Sequence, residues 1–412
     1  VDKHGEYWSR AIILIDMNAF FCSVEQIDHP EWQGKPIGIT NGSQGTCIIT
    51  CSYEARSYGI RTGMRLKTAL QLCPDFIRVP SHPKRYAEVS SNIMSALTGL
   101  TPKVEVYSVD EAFLDVTACQ NLLGPAEHIA KRVQQIVREV SGGVLCSVGL
   151  SGDKTTAKYA AKLNKPNGLT VIHPDTARTR LQSVPLTELW GIGRGIGTFL
   201  SERGVHTCGD MQKLPIGVLA KRFGNPGRRL WFMAQGLDPS PIEPNVPPPK
   251  SIGHGKVMPP DTRDPQVIRT FLLHMTEKVA ARLRRHQLCA TRFYVGLRTQ
   301  SDWLHSSYDC LPASDDGRII RGFCEHFLTH HWQGQGVHQV QVTAMRLQEK
   351  SQQLELFTTS GKQEQLHRAI DAINQRYGEF TVAPARLLGR SKMPNVIAPA
   401  WKPSGHRETV LE

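Results

Sequence analysis

The sequence predicts a multidomain α+β protein containing two βαββαβ units, and three features carry that expectation. The first is an order of elements: strand, helix, two strands, helix, strand. It runs from Ala11 to Ser151 once a small inserted unit between Phe20 and about Arg85 is set aside. The second is the return of the same order after a proline-rich stretch, PSPIEPNVPPP, from Pro239 to Pro249. The third is length, since 412 residues exceed one ordinary core.

Each element has its own signal. AIILIDM is a short apolar run that ends abruptly in an acid, which reads as a strand. It is far below the roughly 18–20 apolar residues of a membrane span. GKPIGIT and TCIITC read as two further strands, followed by helical SYEARSYG and KTALQLC. PKRYAEVSSNIMSALTGL reads as a helix leading into the paired strands KVEVYSV and AFLDVT. The helix PAEHIAKRVQQIVREVSG, the strand LCSVGLS and the helix DKTTAKYAAKLN complete a split βαβ order of the ferredoxin-like kind. From Val184 the texture changes to short helices with glycine turns, VPLTELWGIGRGIGTFLSERGVHTCGDM. The proline-rich stretch that follows reads as a stiff extended linker. Beyond it come the strand SIGHGKVM, a long helix ending ARLRRH, the strand pair ATRFYVGLRTQ and WLHSSYDCL, the helix RIIRGFCEHFLTHHW and the strand VHQVQVTAMRL. A polar tail then carries the apolar island QLELF and a helical segment near LHRAIDAINQRYG.

Composition narrows the class of function. Hydrophobic residues make up 40% and charged residues 21%, as in a folded globular protein. The ten cysteines are scattered without C-x-x-C, so reduced thiols are expected rather than zinc ligands or disulfides. A formal net charge of +12 points to a polyanionic partner, with nucleic acid first. VDKHGEYWSR lacks the long apolar core of a secretory signal, which makes cytoplasmic residence the expectation.

Asp16 ends the first strand, and Asp110 and Glu111 stand at the junction of the central strand pair. In a βαββαβ sheet the first and third strands are neighbours, so these acids can meet at one sheet end. Convergent carboxylates repel unless divalent cations sit between them, and Mg²⁺ is the hard, oxygen-seeking choice. Two such ions would clamp both the attacking and leaving oxygens of a phosphoryl transfer. The competing interpretation makes VDE an exposed hairpin turn and Asp16 a strand terminator; spacing alone does not choose. Tyr53 and Arg56 lie three apart on one helical face, an arrangement suited to a triphosphate tail. Lys154, Lys158 and Lys162 recur at helical spacing and read as a solvated basic face, whereas Lys165, in a Pro-Asn-Gly turn, is the better phosphate ligand.

DMNAFFCSVE, SYEARSYGIRTGM, YSVDEAFLDVT and SVGLSGDKTTAKYAAKLNKPNG together resemble, in order and spacing, the motifs of the Y-family, or translesion, DNA polymerases. The likeness extends from about Ala11 to Phe357. It implies a palm over 1–19 and 86–172, fingers over 20–85 and a helix-hairpin-helix thumb over 173–238. A linker over 239–250, a little finger over 251–348 and a tail over 349–412 complete the expected division. By this resemblance Asp16, Asp110 and Glu111, assisted by the carbonyl of Met17, hold two Mg²⁺, with Mn²⁺ as a substitute. Thr50, Tyr53, Arg56 and Lys165 match the contacts to an incoming dNTP. Phe21 matches the steric gate against a ribose 2′-hydroxyl; Phe20 and Phe21, read as an extended segment, are expected to point oppositely. Gly191, Gly193 and Gly195 let backbone amides approach DNA phosphates. Arg292 and Arg298 are expected to grip primer–template DNA through its backbone, in a salt-sensitive way. Gln353, Leu354, Leu356 and Phe357 of QLELF resemble the peptide that docks on the sliding clamp (the β subunit).

One departure stands out: Asn18 occupies the place of a second Asp in many relatives. The Asp-x-Asn-Ala-Phe pattern resembles the catalytic subunit of DNA polymerase V, which would bring an accessory subunit, whereas the finger motif is more similar to DNA polymerase IV. The expected activity is low-fidelity translesion synthesis by a cytoplasmic, nucleoid-associated protein that is monomeric apart from its partners. The competing reading from another class is a catalytically silent adaptor that recruits translesion factors to the clamp; a two-metal nuclease is a further competitor, opposed by the triphosphate motifs.

Overall fold

A computed structural model describes residues 7–43, 45–350, 360–391 and 402. The chain divides into two compact units between Val246 and Pro247, inside the proline-rich stretch.

The N-terminal unit begins with β1 (Ile12–Met17), α1 (Phe20–Asp28), β2 (Ile37–Thr40), β3 (Ile48–Cys51), α2 (Tyr53–Ser57), α3 (Leu66–Leu72) and β4 (Ile77–Pro80). It continues through α4 (Pro83–Thr98), β5 (Val104–Val106), β6 (Glu111–Asp115), α5 (Gln120–Leu123), α6 (Ala126–Val140), β7 (Cys146–Ser151), α7 (Lys154–Leu163) and β8 (Leu169–Val171). The main sheet has the order β5-β6-β1-β7-β8, and the inserted segment forms a separate sheet, β3-β2-β4. The expected neighbours therefore meet: β1 pairs antiparallel with β6 on one side and β7 on the other.

Burial on both faces explains why AIILIDM is one continuous apolar run rather than an alternating one. Ile13, Ile15 and Met17 belong to the large core with Val89 and Ile93 of α4 and Ile129 and Val133 of α6. Ile12 and Leu14 face the other way, with Phe113, Ala157 and Ala161. β8 runs parallel to β7 at the edge. It is absent from the sequence reading because LTV is too short to show a period; β4 escapes it for a similar reason.

One expectation fails. Phe20 and Phe21 are not in an extended segment but open α1, after Ala19 turns the chain with a left-handed φ of 44°. Consecutive side chains on a helix diverge by about 100° rather than 180°, and here both rings are buried.

The helical part comprises α8 (Pro174–Leu181), α9 (Arg194–Ser201) and α10 (Ile216–Met233), the last kinked where Gly224 leaves helical geometry two residues before Pro226. These helices share a core that includes Leu181, Leu200, Met211 and Leu230.

The C-terminal unit follows the expected order: β9 (Ser251–Thr262), α11 (Pro265–Arg285), β10 (Leu288–Thr299), β11 (Trp303–Ser314), α12 (Gly317–His331) and β12 (Val337–Glu349). Its sheet order is β11-β10-β12-β9, different from that of the first unit. Phe293, Val295 and Leu297 of β10 pack with Leu272, Val279 and Phe327 of α11 and α12. A last helix, α13 (Ser360–Tyr377), is tied to this unit by ion pairs: Asp371 with Arg284 at 2.6 Å, and Glu364 with Lys350 at 3.2 Å. QLELF lies outside the described residues.

Candidate active site

The register of β1 on β6 builds the site. Asp16 is the cross-strand partner of Glu111, so the two side chains share a face of the sheet. Asp110 is drawn to the same end because its carbonyl accepts the Met17 N–H at 2.9 Å. Its carboxylate accepts the Ser108 hydroxyl at 2.6 Å. Burial pushes the Asp110 carboxyl above its ordinary range; the Ser108 hydrogen bond opposes that shift and Asp16 adds to it. Glu111 is raised to about 7, first by burial; Lys158 pulls it back, while Asp16 and Asp110 raise it further. The charge of Asp16 thus reaches both of the other acids, as convergence requires.

Cations already stand against two of them. Lys158 Nζ donates to both Glu111 carboxylate oxygens at 2.7 Å. Lys165 Nζ donates to Asp16 Oδ2. Lys154, more deeply buried, donates to both oxygens of Glu105 at 2.8 and 2.6 Å. The expected solvated lysine face is therefore incorrect for Lys154 and Lys158, and Lys162 donates to the Glu188 carbonyl at 2.8 Å. The cause is the close seat of α7 on the sheet. A Cβ at Gly149 would run into the carbonyl of Ala157, so only glycine on β7, facing Ala157 and Ala161, lets the helix come this near. Glu105 pairs with Phe113 and shares its face with Glu111, beneath the lysines.

Asn18 does not face the acids as a missing ligand. Its amide is buried, with Nδ2 donating to Ser147 Oγ at 2.9 Å and Oδ1 accepting the Asn167 N–H at 2.7 Å. It uses both a donor and an acceptor to bind the turn that carries Lys165, a role that the sequence reading missed. The signal was present in the choice of an amide over a carboxylate at a buried position.

The other candidates occupy separate supports. Thr50 lies on β3 opposite Ile39. Tyr53 and Arg56 share α2, whose first turn is capped by the Ser52 hydroxyl. The Arg56 guanidinium carbon is 4.6 Å from the Tyr53 ring centre. Both line an open depression with Cys51, Ser57, Arg61 and Thr62, so Arg61 is a second guanidinium that the sequence reading passed over. Phe21 stacks on Tyr86 at 4.4 Å, and the Tyr86 hydroxyl is fixed by Glu25 at 2.5 Å. Gly191 has φ +87°, a conformation that favours glycine, and no atom lies within 4 Å of a Cβ built there or at Gly193 or Gly195. Internal packing does not require these glycines. Arg292 is committed to Asp309 across the strands at 2.7 and 2.8 Å, while Arg298 is exposed on the same strand.

As donors, three hard carboxylates at one sheet end fit a pair of hard divalent cations. Asp16 and Glu111 are turned onto lysines and Asp110 onto Ser108, and among the described residues no three acidic, histidine or cysteine side chains are already closed round one point. The fit is one of chemistry and placement, and it requires Lys165 to release Asp16.

Comparison with known proteins decides the family. Residues 15–162 match the impB/mucB/samB family, residues 249–356 match its C-terminal domain, and residues 187–238 match the thumb domain of DNA polymerase iota. DNA polymerase IV of Moorella thermoacetica is 37% identical over 386 residues, covering 92% of this chain and 96% of its own. DNA polymerase IV of Shewanella woodyi is 39% identical over 277 residues, covering 67% of this chain and 76% of its own. The solved structure of a chimeric Y-family DNA polymerase superposes with a TM-score of 0.71 at 28% identity, covering 82% of this chain and 99% of that one. The chain belongs to the Y-family of DNA polymerases. As a Y-family member it is a DNA-directed DNA polymerase, on the polymerase IV side of the two resemblances. The family's palm, thumb and little finger are the fold observed here. Among the described residues no helix is long and apolar enough to cross a membrane.

Proposed function

We propose that this chain extends a primer 3′-hydroxyl with deoxynucleotides on a DNA template, using two Mg²⁺ ions, and that its task is synthesis past damaged template. The observation that supports the chemistry most directly is the pairing of Asp16 with Glu111, with Asp110 bound to Met17 beside them. Asp16, Asp110, Glu111 and the Met17 carbonyl would hold the ions. When bound, these supply Lewis acidity and neutralise charge on the transferring phosphate.

The remaining work belongs to the chain's own residues. The hydroxyl attacks the α-phosphate, a new P–O bond forms, and the bond to pyrophosphate breaks. Arg56 and Lys165 offer charged donors to the triphosphate, with the Tyr53 hydroxyl and Thr50 beside them. Lys165 changes partner, from Asp16 to the nucleotide. Phe21, backed by Tyr86, occupies the space of a ribose 2′-hydroxyl. The open turn at Gly191–Gly195 and the exposed sheet face with Arg298 take DNA phosphates without reading sequence. QLELF would recruit the sliding clamp. An accessory subunit would belong to a polymerase V kind of chain, and the relatives named above are DNA polymerase IV proteins.

Primer extension on undamaged and lesion-bearing templates, with and without clamp, tests this reading. Incorporation opposite the lesion, clamp stimulation lost on removal of QLELF, and inactivity of the Asp110→Ala, Glu111→Ala pair are expected. A wild-type chain as inactive as that pair would favour the adaptor instead.

A further inference from the structure

Trp190 stands at a junction. The residue after it is Gly191, the left-handed glycine that opens the thumb turn toward solvent. Its own ring, however, packs on the catalytic sheet rather than in the thumb core: it lies 5.2 Å from Tyr107 and 6.0 Å from Phe113. The indole N–H donates to the Tyr107 hydroxyl at 3.1 Å, which fixes both rings.

Three cations surround this pair of rings. Lys154 Nζ is 6.0 Å from the Trp190 ring centre, Lys158 Nζ is 5.8 Å away and the Arg229 guanidinium 4.8 Å. Two of them serve structural acids: Lys154 holds Glu105, and Arg229 grips Asp238 at 3.0 and 2.8 Å. Lys158 alone of the three pairs with a catalytic acid, Glu111, and its ammonium is also 4.5 Å from the Tyr107 ring centre. An ammonium over aromatic faces is held more firmly than one in water. Glu111 is therefore oriented by Lys158, Lys158 is caged by Tyr107 and Trp190, and Trp190 is joined by one peptide bond to the turn expected to meet DNA.

We infer that Lys158 is a positioning residue for Glu111, and that Trp190 couples the thumb turn to the metal-holding end of the sheet by caging Lys158. DNA seated on Gly191–Gly195 then fixes the indole, and with it the acid. The inference rests on the polymerase reading of the site.

The test is a double-substitution cycle on the full chain with primer–template DNA. Lys158→Met lowers kcat by about 10-fold or more, the scale on which orienting partners of metal ligands act. KM for dNTP and Kd for DNA move less than about 2-fold, and Lys158→Arg restores part of the loss. Trp190→Ala lowers kcat in the same way, and the double variant is no slower than Lys158→Met alone, since one residue acts through the other. A second reading does not depend on activity: the Trp190 resonance of 5-fluorotryptophan-labelled protein, assigned by its loss in Trp190→Phe, shifts on adding DNA without metal or dNTP and shifts again in Lys158→Met. Should Trp190→Ala fold poorly by thermal melting, Trp190→Phe carries the cycle. Multiplying effects in the double variant, or a fluorine signal indifferent to DNA, would overturn the coupling. Glu111→Gln separates the two claims: wild-type rate in that variant sinks the polymerase site itself, whereas an inactive Glu111→Gln with additive Trp190 and Lys158 sinks only the coupling.

Discussion

The two βαββαβ units share a chain order and differ in where the first strand goes. In the N-terminal sheet β1 lies inside, between β6 and β7, whereas in the C-terminal sheet β9 takes the edge and β10 and β12 fill the middle. That single difference separates two kinds of surface. With the first strand inside, its penultimate residue, Asp16, meets Glu111, the first residue of the third strand, and three acids from two distant segments gather at one end. With the first strand at the edge, β9 and β11 are the two outer strands and their ends never meet. What remains is a broad face of strands 12 or 13 residues long, carrying Arg292 and Arg298 opposite a helix-covered core. One arrangement makes a point where charge is concentrated, the other a plane over which a long polyanion can lie.

Substitutions sharpen this contrast, the strongest first. Removing an acid from the point is the gravest change: Glu111→Ala should lower incorporation more than about 100-fold, since disturbing only the orienting partners of such ligands already costs 10–100-fold. Single-turnover kinetics would show it, and a loss under tenfold would mean that no concentrated site exists there. Phe21→Gly should raise ribonucleotide incorporation relative to deoxynucleotide by about 10-fold or more, measured as a ratio of kcat/KM; unchanged sugar discrimination would place the gate elsewhere. Asn18→Ala strands the buried Ser147 hydroxyl, at a cost of about 1–3 kcal/mol, and releases the Asn167 N–H from its side-chain acceptor. Denaturant melting should register it together with a higher KM for dNTP, as the Lys165 turn loosens. On the plane the effects are smaller and spread out. Arg298→Ala should weaken DNA binding across sequences and reduce the slope of log K against log salt by about one. Arg292→Ala should do less, because that guanidinium is already shared with Asp309. An equal or larger change for Arg292 would contradict the commitment of its charge.

Much of this was legible in the chain. AIILIDM and EAFLDV announce buried strands because both sheet faces are covered, and an acid ending such a run has few structural excuses. Sheet order was legible for the first unit alone: a chain order of elements is compatible with several pairings, and the hydrophobic pattern does not say which strand lies at an edge. β8, three residues long, left no period to read. The lysines of α7 illustrate the same limit. Their spacing looks like a solvated face, and only the register that brings Glu105 and Glu111 beneath two of them, with Gly149 admitting the helix so closely, turns Lys154 into a buried partner and Lys158 into a half-buried one. Asn18 and Trp190 owe their roles to contacts with residues far away in sequence, Asn167 and Tyr107, which no local pattern encodes.

The most direct measurement is Mn²⁺ binding to the DNA-free protein, followed by electron paramagnetic resonance across pH. The acids hold a cation only when ionised, and burial raises both Asp110 and Glu111, the latter to about 7, so at Glu111 protons compete with the ion up to about neutral pH. Affinity should therefore rise as pH passes upward through about 7, and Asp16→Asn should weaken it at least tenfold, with fold and melting temperature retained. Equal affinity in wild type and Asp16→Asn would contradict the account, because Asp16 would then lie outside the shared cradle that the β1–β6 register creates.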